Sequence, residues 1–175
     1  IGQNQYWRAG LSFLQADVED RSNEENAFTG NSEMLLADFV YKWTPQGTQS
    51  SREFILQGEY FDVNENGRFD DTPADGLNNQ SDQTGWYLQG VYRFSQQWRI
   101  GLRTARVSGE TLQLPQTSVS DMDNKAKQHS LMLDWSNTEF SRIRLQLDNN
   151  SAAEHENVLI LQYIAAFGAH GAHSF

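Results

Sequence analysis

Cysteine is absent from the 175 residues, which removes disulfides, thiol nucleophiles and thiolate metal sites. Long apolar runs are missing too. Only 38% of the residues belong to the hydrophobic set, and no stretch approaches the roughly 20 apolar residues that a membrane-crossing helix needs. Basic residues are outnumbered: Lys and Arg total 13 against 23 Asp and Glu, a net charge of −10. That balance argues against a nucleic-acid partner, because phosphate contacts need a basic surface. No nucleophile elbow or zinc-binding helix motif occurs, so the Ser, His and Asp present do not mark an enzyme. The opening IGQNQYWRAG lacks a charged start followed by an apolar stretch, so no signal peptide is read there. For an exported protein, a processed chain or a fragment of a longer one is expected.

What is present is alternation. Every second residue from Trp86 gives Trp86, Leu88, Gly90, Tyr92 and Phe94, with Tyr87, Gln89, Val91, Arg93 and Ser95 between them. After Gln96 and Gln97 the pattern restarts, with Trp98, Ile100, Leu102 and Thr104 on one face and Arg99, Gly101, Arg103 and Ala105 on the other. Period two with a tight turn predicts a hairpin with two different faces. One face ends in aromatic residues and the other carries arginines, as expected of strands with lipid outside and water inside. The negative mean hydropathy of −0.67 does not oppose this, since barrel strands dilute their lipid face with every second residue.

The same reading predicts eight strands. The first covers 5–17, with Trp7, Ala9, Leu11 and Phe13 opposite Arg8, Gly10 and Ser12, and a bulge or strand end at Leu14. The second covers 33–43, with Leu35, Ala37, Phe39, Tyr41 and Trp43 opposite Leu36, Asp38, Val40 and Lys42. The third covers 52–61, with Phe54, Leu56, Gly58 and Tyr60 opposite Ile55, Gln57 and Glu59. The hairpin above supplies the fourth and fifth. The sixth covers 127–136, with Leu131, Leu133 and Trp135 opposite Met132 and Asp134, and the seventh covers 140–148, with Ile143, Leu145 and Leu147 opposite Arg142, Arg144 and Asp148. The last covers 157–167. Long polar loops at 18–32, 62–84 and 108–126 then alternate with short turns, the asymmetry of a transmembrane barrel. Tryptophans near both ends of the strands predict two aromatic girdles.

A soluble lipocalin-type barrel also has eight antiparallel strands, with the apolar face inside, and alternation alone does not separate the two. Loop asymmetry and tryptophan placement favour the membrane version. Phe175, ending the chain on the parity of Phe167, resembles the C-terminal assembly signal of Gram-negative outer-membrane proteins. Segments such as REFILQGEYF, GWYLQGVYRF and WRIGLRTARV resemble the C-terminal barrel regions of phosphate-selective-type porins and of TonB-dependent receptors. The resemblance implies a cell outer membrane location, insertion by the barrel assembly machinery through Phe175, and contact with lipid and lipopolysaccharide. No plug domain is visible, so ligand-gated uptake is not implied.

The inward set holds Arg8, Lys42, Arg93, Arg99, Arg103, Arg142 and Arg144 against Asp38, Glu59, Asp134 and Asp148. Unpaired charge is expensive in a dry interior, so this positive excess favours the wall of a wider, water-filled barrel over a closed eight-stranded one. Its pore-lining candidates are Lys42, Glu59, Arg93, Arg99, Arg103, Asp134, Arg142 and Arg144. Rings of Arg lower the barrier for anions, unless they are merely paired with the carboxylates. DVNENGRFDD resembles the start of a calcium loop, with Asp62, Asn64, Asn66 and Asp70 as ligands, but Pro73 stands where the bidentate Glu belongs; the alternative is an acidic outer loop. His170 and His173 make a zinc pair only in a helix, which the glycines of GAHGAHSF oppose. The expected function is passive uptake of small hydrophilic solutes with a mild anion preference, by a protein open to homo-oligomerisation and needing no cofactor. The alternatives are a closed barrel with a structural or adhesive role, and a soluble ligand-binding barrel.

Overall fold

A computed structural model describes residues 4–23, 26–45, 51–70, 77–110, 125–151 and 155–166. Eight strands form one sheet: β1 (Gln5–Asn23), β2 (Asn26–Trp43), β3 (Glu53–Asp70), β4 (Leu77–Arg93), β5 (Trp98–Glu110), β6 (Ala126–Thr138), β7 (Ser141–Ser151) and β8 (His155–Ala165). Each pairs antiparallel with its sequence neighbour, in the order β1 to β8. No described strand pairs β1 with β8, so the sheet has two edges and is not a closed eight-stranded barrel. No helix of the described residues is long and apolar enough to cross a membrane, which says nothing of crossing with strands.

Register settles the faces. One hydrogen-bonded row runs Trp7, Tyr41, Leu56, Gly90, Leu102, Leu131, Leu147, Leu159 across all eight strands. The next row toward the short turns carries Trp43, Phe54, Tyr92, Ile100, Leu133, Leu145 and Leu161. Every apolar residue assigned to one face by alternation lands on that face. No described residue packs over it: Leu102 is 64% exposed, Leu11 74% and Leu161 75%. Phe28 is the one buried hydrophobic side chain among the described residues. On β6 and β7 burial alternates in the opposite sense to polarity, with leucines exposed and the polar positions between them partly or fully covered.

The apolar band crosses the rows obliquely. Its outer limit is Phe13 on β1 and Leu35 on β2, Tyr60 and Trp86 on β3 and β4, then Leu102, Leu131, Leu147 and Leu159 on β5 to β8. Since Leu159 shares a row with Trp7, the limit slips by the six residues from 7 to 13 across the sheet. At about 3.3 Å per residue and about 4.8 Å per strand spacing, that is a slope of about 30°. Strands of a membrane barrel tilt by roughly 35–45°, and a level hydrocarbon slab would cut such strands along a slope of this kind.

The structure differs from the sequence reading in where strands end. Residues 18–32 and 62–84, expected as long loops, are largely ladder: β1 and β2 pair out to Asn23 and Asn26, and β3 and β4 out to Phe69 and Leu77. Beyond the apolar band both faces are polar, so alternation no longer marks the strand. Register also runs unbroken through Leu14, which pairs Met34. The bulge lies further on, between Val18 and Arg21, where Asp20 adopts φ 50. One extra residue there moves Arg21 to the polar face opposite Phe28.

That shift builds a small cluster outside the band. Arg21 lies 4.9 Å over the Phe28 ring and grips Glu65 with two hydrogen bonds of 2.8 and 3.0 Å, while the Ser32 hydroxyl donates to Glu65 at 3.2 Å. Phe28 lies across Gly30 and Gly67, where any Cβ would strike the neighbouring strand's backbone and the ring itself. The Arg21 hydrogen bond holds the Glu65 carboxyl below the usual carboxylate range, against the opposing effect of burial. A depressed carboxyl contributes stability above its unfolded value, near 4.3, and loses it as pH falls through the folded value. Amide protection factors in the outer parts of β1 to β3 are therefore expected to hold from about pH 7 to 5 and to fall below about pH 4. In Glu65→Gln, measured the same way, this acid-dependent step should be missing.

Candidate functional site

The polar face is a sequence of belts set by register. Nearest the short turns, one row reads Glu53, Arg93, Arg99, Asp134, Arg144, Gln162 across β3 to β8. The next is mostly apolar: Ile55, Val91, Gly101, Met132, Gln146, Ile160. The third is Gln57, Gln89, Arg103, Ser130, Asp148, Val158. The arginines expected on this wall are thus brought together on β4, β5 and β7.

Asp134 is the centre of the first belt and is fully buried. Arg144 donates from Nε at 2.8 Å and from Nη2 at 3.1 Å, Arg99 donates from Nη2 at 2.6 Å, and Arg142 stands 3.9 Å away. Three guanidinium groups share one carboxylate. Arg93 and Arg99 face each other directly across β4 and β5, an unfavourable pairing relieved by carboxylates on either side. Glu53 lies 3.7 Å from Arg93 and 2.7 Å from Lys42, and Asp134 holds Arg99. The Nε atoms of Arg93, Arg99 and Arg142 are buried without a hydrogen-bond partner among the described residues. Positive charge remains in excess at this belt.

Two cavities flank it. One of about 580 Å³ opens at the short-turn end, against Arg93, Arg99, Arg142, Ser136 and Glu139. The other, about 330 Å³, lies further along the polar face against Gln57, Gln89, Arg99, Arg103 and Arg144. Arg103 is exposed, with its guanidinium 4.5 Å over the Tyr87 ring. Arg8 is 4.0 Å from Asp38.

Several expectations are corrected. Asp134, expected to line the wall, is sealed beneath the arginines. Asp148 accepts from Gln146 rather than from an arginine; Glu59 stays exposed on the polar face, opposite Tyr87. Glu53 was overlooked, although carrying the alternation back from Ile55 by one step places it on the polar face. Asp62, Asn64 and Asn66 do not form a calcium loop. They stand at alternate positions of β3, so strand geometry spreads them along one face; Asp62 accepts from Asn64 at 2.8 Å and from Tyr60 at 3.3 Å. Asp70 is the last residue of β3. Among the described residues no group of three or more His, Cys, Asp or Glu side chains could hold a metal. His170, His173 and Phe175 lie outside the described residues.

Comparison with known proteins finds similarity to an uncharacterized protein of Aquifex aeolicus, 31% identical over 176 residues, covering 97% of this chain and 35% of that protein. The chain therefore spans about a third of the length of the curated relative it matches. No protein-family model and no solved structure matches the chain.

The geometry makes Asp134 a pin rather than a ligand. Replacing it by Asn leaves Arg99, Arg142 and Arg144 facing one another uncompensated, and a broken buried charge cluster costs about 3–5 kcal/mol. Asp134→Asn should lower the urea midpoint of the folded protein by that equivalent, whereas Arg142→Gln, at the longest of the three distances, should cost about 1 kcal/mol or less.

Proposed function

We propose that this chain is part of a larger antiparallel β-barrel in a Gram-negative outer membrane, acting as an aqueous pore for small hydrophilic solutes with a preference for anions. The observation that carries the reading is the reversal of burial across the sheet. The leucine and tryptophan face is uncovered while the charged face is the crowded one. A soluble barrel needs the opposite arrangement, and hydrocarbon is the solvent for which an uncovered leucine face costs nothing. The oblique band and the tryptophans Trp43, Trp98 and Trp135 near its short-turn limit point the same way.

Edges support the larger barrel. An unpaired backbone amide or carbonyl in hydrocarbon costs several kcal/mol, so the outer edges of β1 and β8 need further strands. The Aquifex relative extends well beyond the aligned stretch, leaving length for them. An arginine excess fits a wide lumen, because water on one side of the wall screens charges that a side-chain-filled small barrel could not accommodate.

The test is ion selectivity in planar bilayers. Full-length protein should conduct, with a reversal potential in a KCl gradient displaced toward chloride. Arg103→Ala with Arg142→Ala removes two guanidinium groups not tightly bound to Asp134 and should displace the potential toward potassium with the conductance retained. Absence of conductance from correctly folded protein would refute the pore in favour of a non-conducting barrel.

A further inference from the structure

The lipid-facing side carries a feature that the pore does not use. Arg106 on β5 and Lys127 on β6 are register partners on the apolar face, two residues outward of Thr104 and His129 and beside Trp86 of β4. Like charges directly opposite across a ladder are destabilising, and neither cation forms an ion pair with a described residue. Their height matters as well. They stand four residues outward of Leu102 and Leu131, where the apolar band ends on β5 and β6, and in the row of Trp86, an aromatic residue of the kind that sits among headgroups.

Immediately below them the same face holds a groove of about 640 Å³, walled by Leu56, Leu88, Leu102, Leu131 and Leu147. Gly90 is its floor, where an added Cβ would have no neighbour closer than 3.6 Å. The groove's outer rim is a polar row of Thr104, His129, Asn149 and Asn157, aligned across β5 to β8 and tied by an Asn149 to Asn157 hydrogen bond of 2.8 Å. A leucine trough, a hydrogen-bonding rim and two cations without an ion pair among the described residues follow one another along about 13 Å of strand.

We propose that this face is a binding site for a phosphorylated lipid of the outer leaflet: acyl chains lie in the groove over Gly90, the rim bonds the linking esters or sugar hydroxyls, and Arg106 and Lys127 share the phosphate. The inference rests on the membrane reading above. It commits to a membrane lipid rather than free phosphate, because the cations alone would serve an ion but the trough would not.

The test uses full-length protein folded in neutral detergent, with native mass spectrometry of bound diphosphoryl lipid A, its dephosphorylated counterpart and phosphatidylglycerol. Wild type should retain the phosphorylated lipids in preference, and excess inorganic phosphate should not displace them. Arg106→Gln with Lys127→Gln should lose about 30-fold in that preference, at about 1 kcal/mol per cation, and bind the dephosphorylated lipid as wild type does. Gly90→Leu, which fills the trough, should weaken all three lipids. Equal retention of the three by wild type, or displacement by phosphate, overturns the site while leaving the barrel intact. A protein that stays soluble and monomeric without detergent overturns both.

Discussion

Each strand here separates an apolar face from a charged one, and the structure depends on keeping them apart. The leucine row and the arginine row are only one residue out of phase, so a slip of one residue in any pairing would carry guanidinium groups onto the leucine side and leucines onto the arginine side. With the leucine side in hydrocarbon, as proposed, each misplaced charge costs about 2–4 kcal/mol. Register is therefore held by a penalty far larger than the difference between neighbouring cross-strand pairs. Register runs unbroken through the apolar band of all eight strands, and the two irregularities, at Val18/Arg21 and Ser136/Thr138, lie outside it.

The charged belt is constrained in a different way. Its row places Arg93 against Arg99 and then Asp134 against Arg144, so the sheet sets cations beside one another that isolated strands would not choose. Asp134 makes this tolerable by accepting from both sides at once. Its burial is a consequence, since guanidinium groups from β5 and β7 close over it. What remains exposed is cationic, although the whole chain carries a net charge of −10. The sign of the wall is set by local pairing and not by composition.

Within the band the fold was legible from sequence because one face there must be apolar. Trp86 to Tyr92 and Trp98 to Thr104 were assigned to the correct faces by counting in twos. Outside it, DVNENGRFD and the stretch around Asp20 carried no alternation, as both faces there are largely polar, and glycine and asparagine suggested a loop where a ladder continues. The Arg21, Phe28 and Glu65 cluster was hidden for a further reason: a bulge changes Arg21's parity, and no sequence count reveals it. Asp134 was found on the right face, but its burial depended on which arginines stood opposite, which is a matter of register between strands distant in sequence.

The outer ends of the strands show what organises the sheet where the apolar band stops. Under the proposed membrane reading, lipid shelters the ladder hydrogen bonds within the band, and the strands there need no core. Above it, on β1 to β4, water competes for those bonds, and a two-sided polar ribbon is only marginally stable. The sheet meets this with the one buried hydrophobic ring among the described residues: Phe28 fills the space left by Gly30 and Gly67 and is roofed by Arg21, whose partner Glu65 comes from β3. This miniature core joins three strands beyond the level where the apolar band ends. Strands β6 to β8 run only four or five residues past the band and have no such cluster among the described residues, whereas β5 runs eight residues past Leu102 to Glu110. On β1 to β3 the longer overhang and the substitute core occur together, as expected if the apolar band stabilises only the segments it covers.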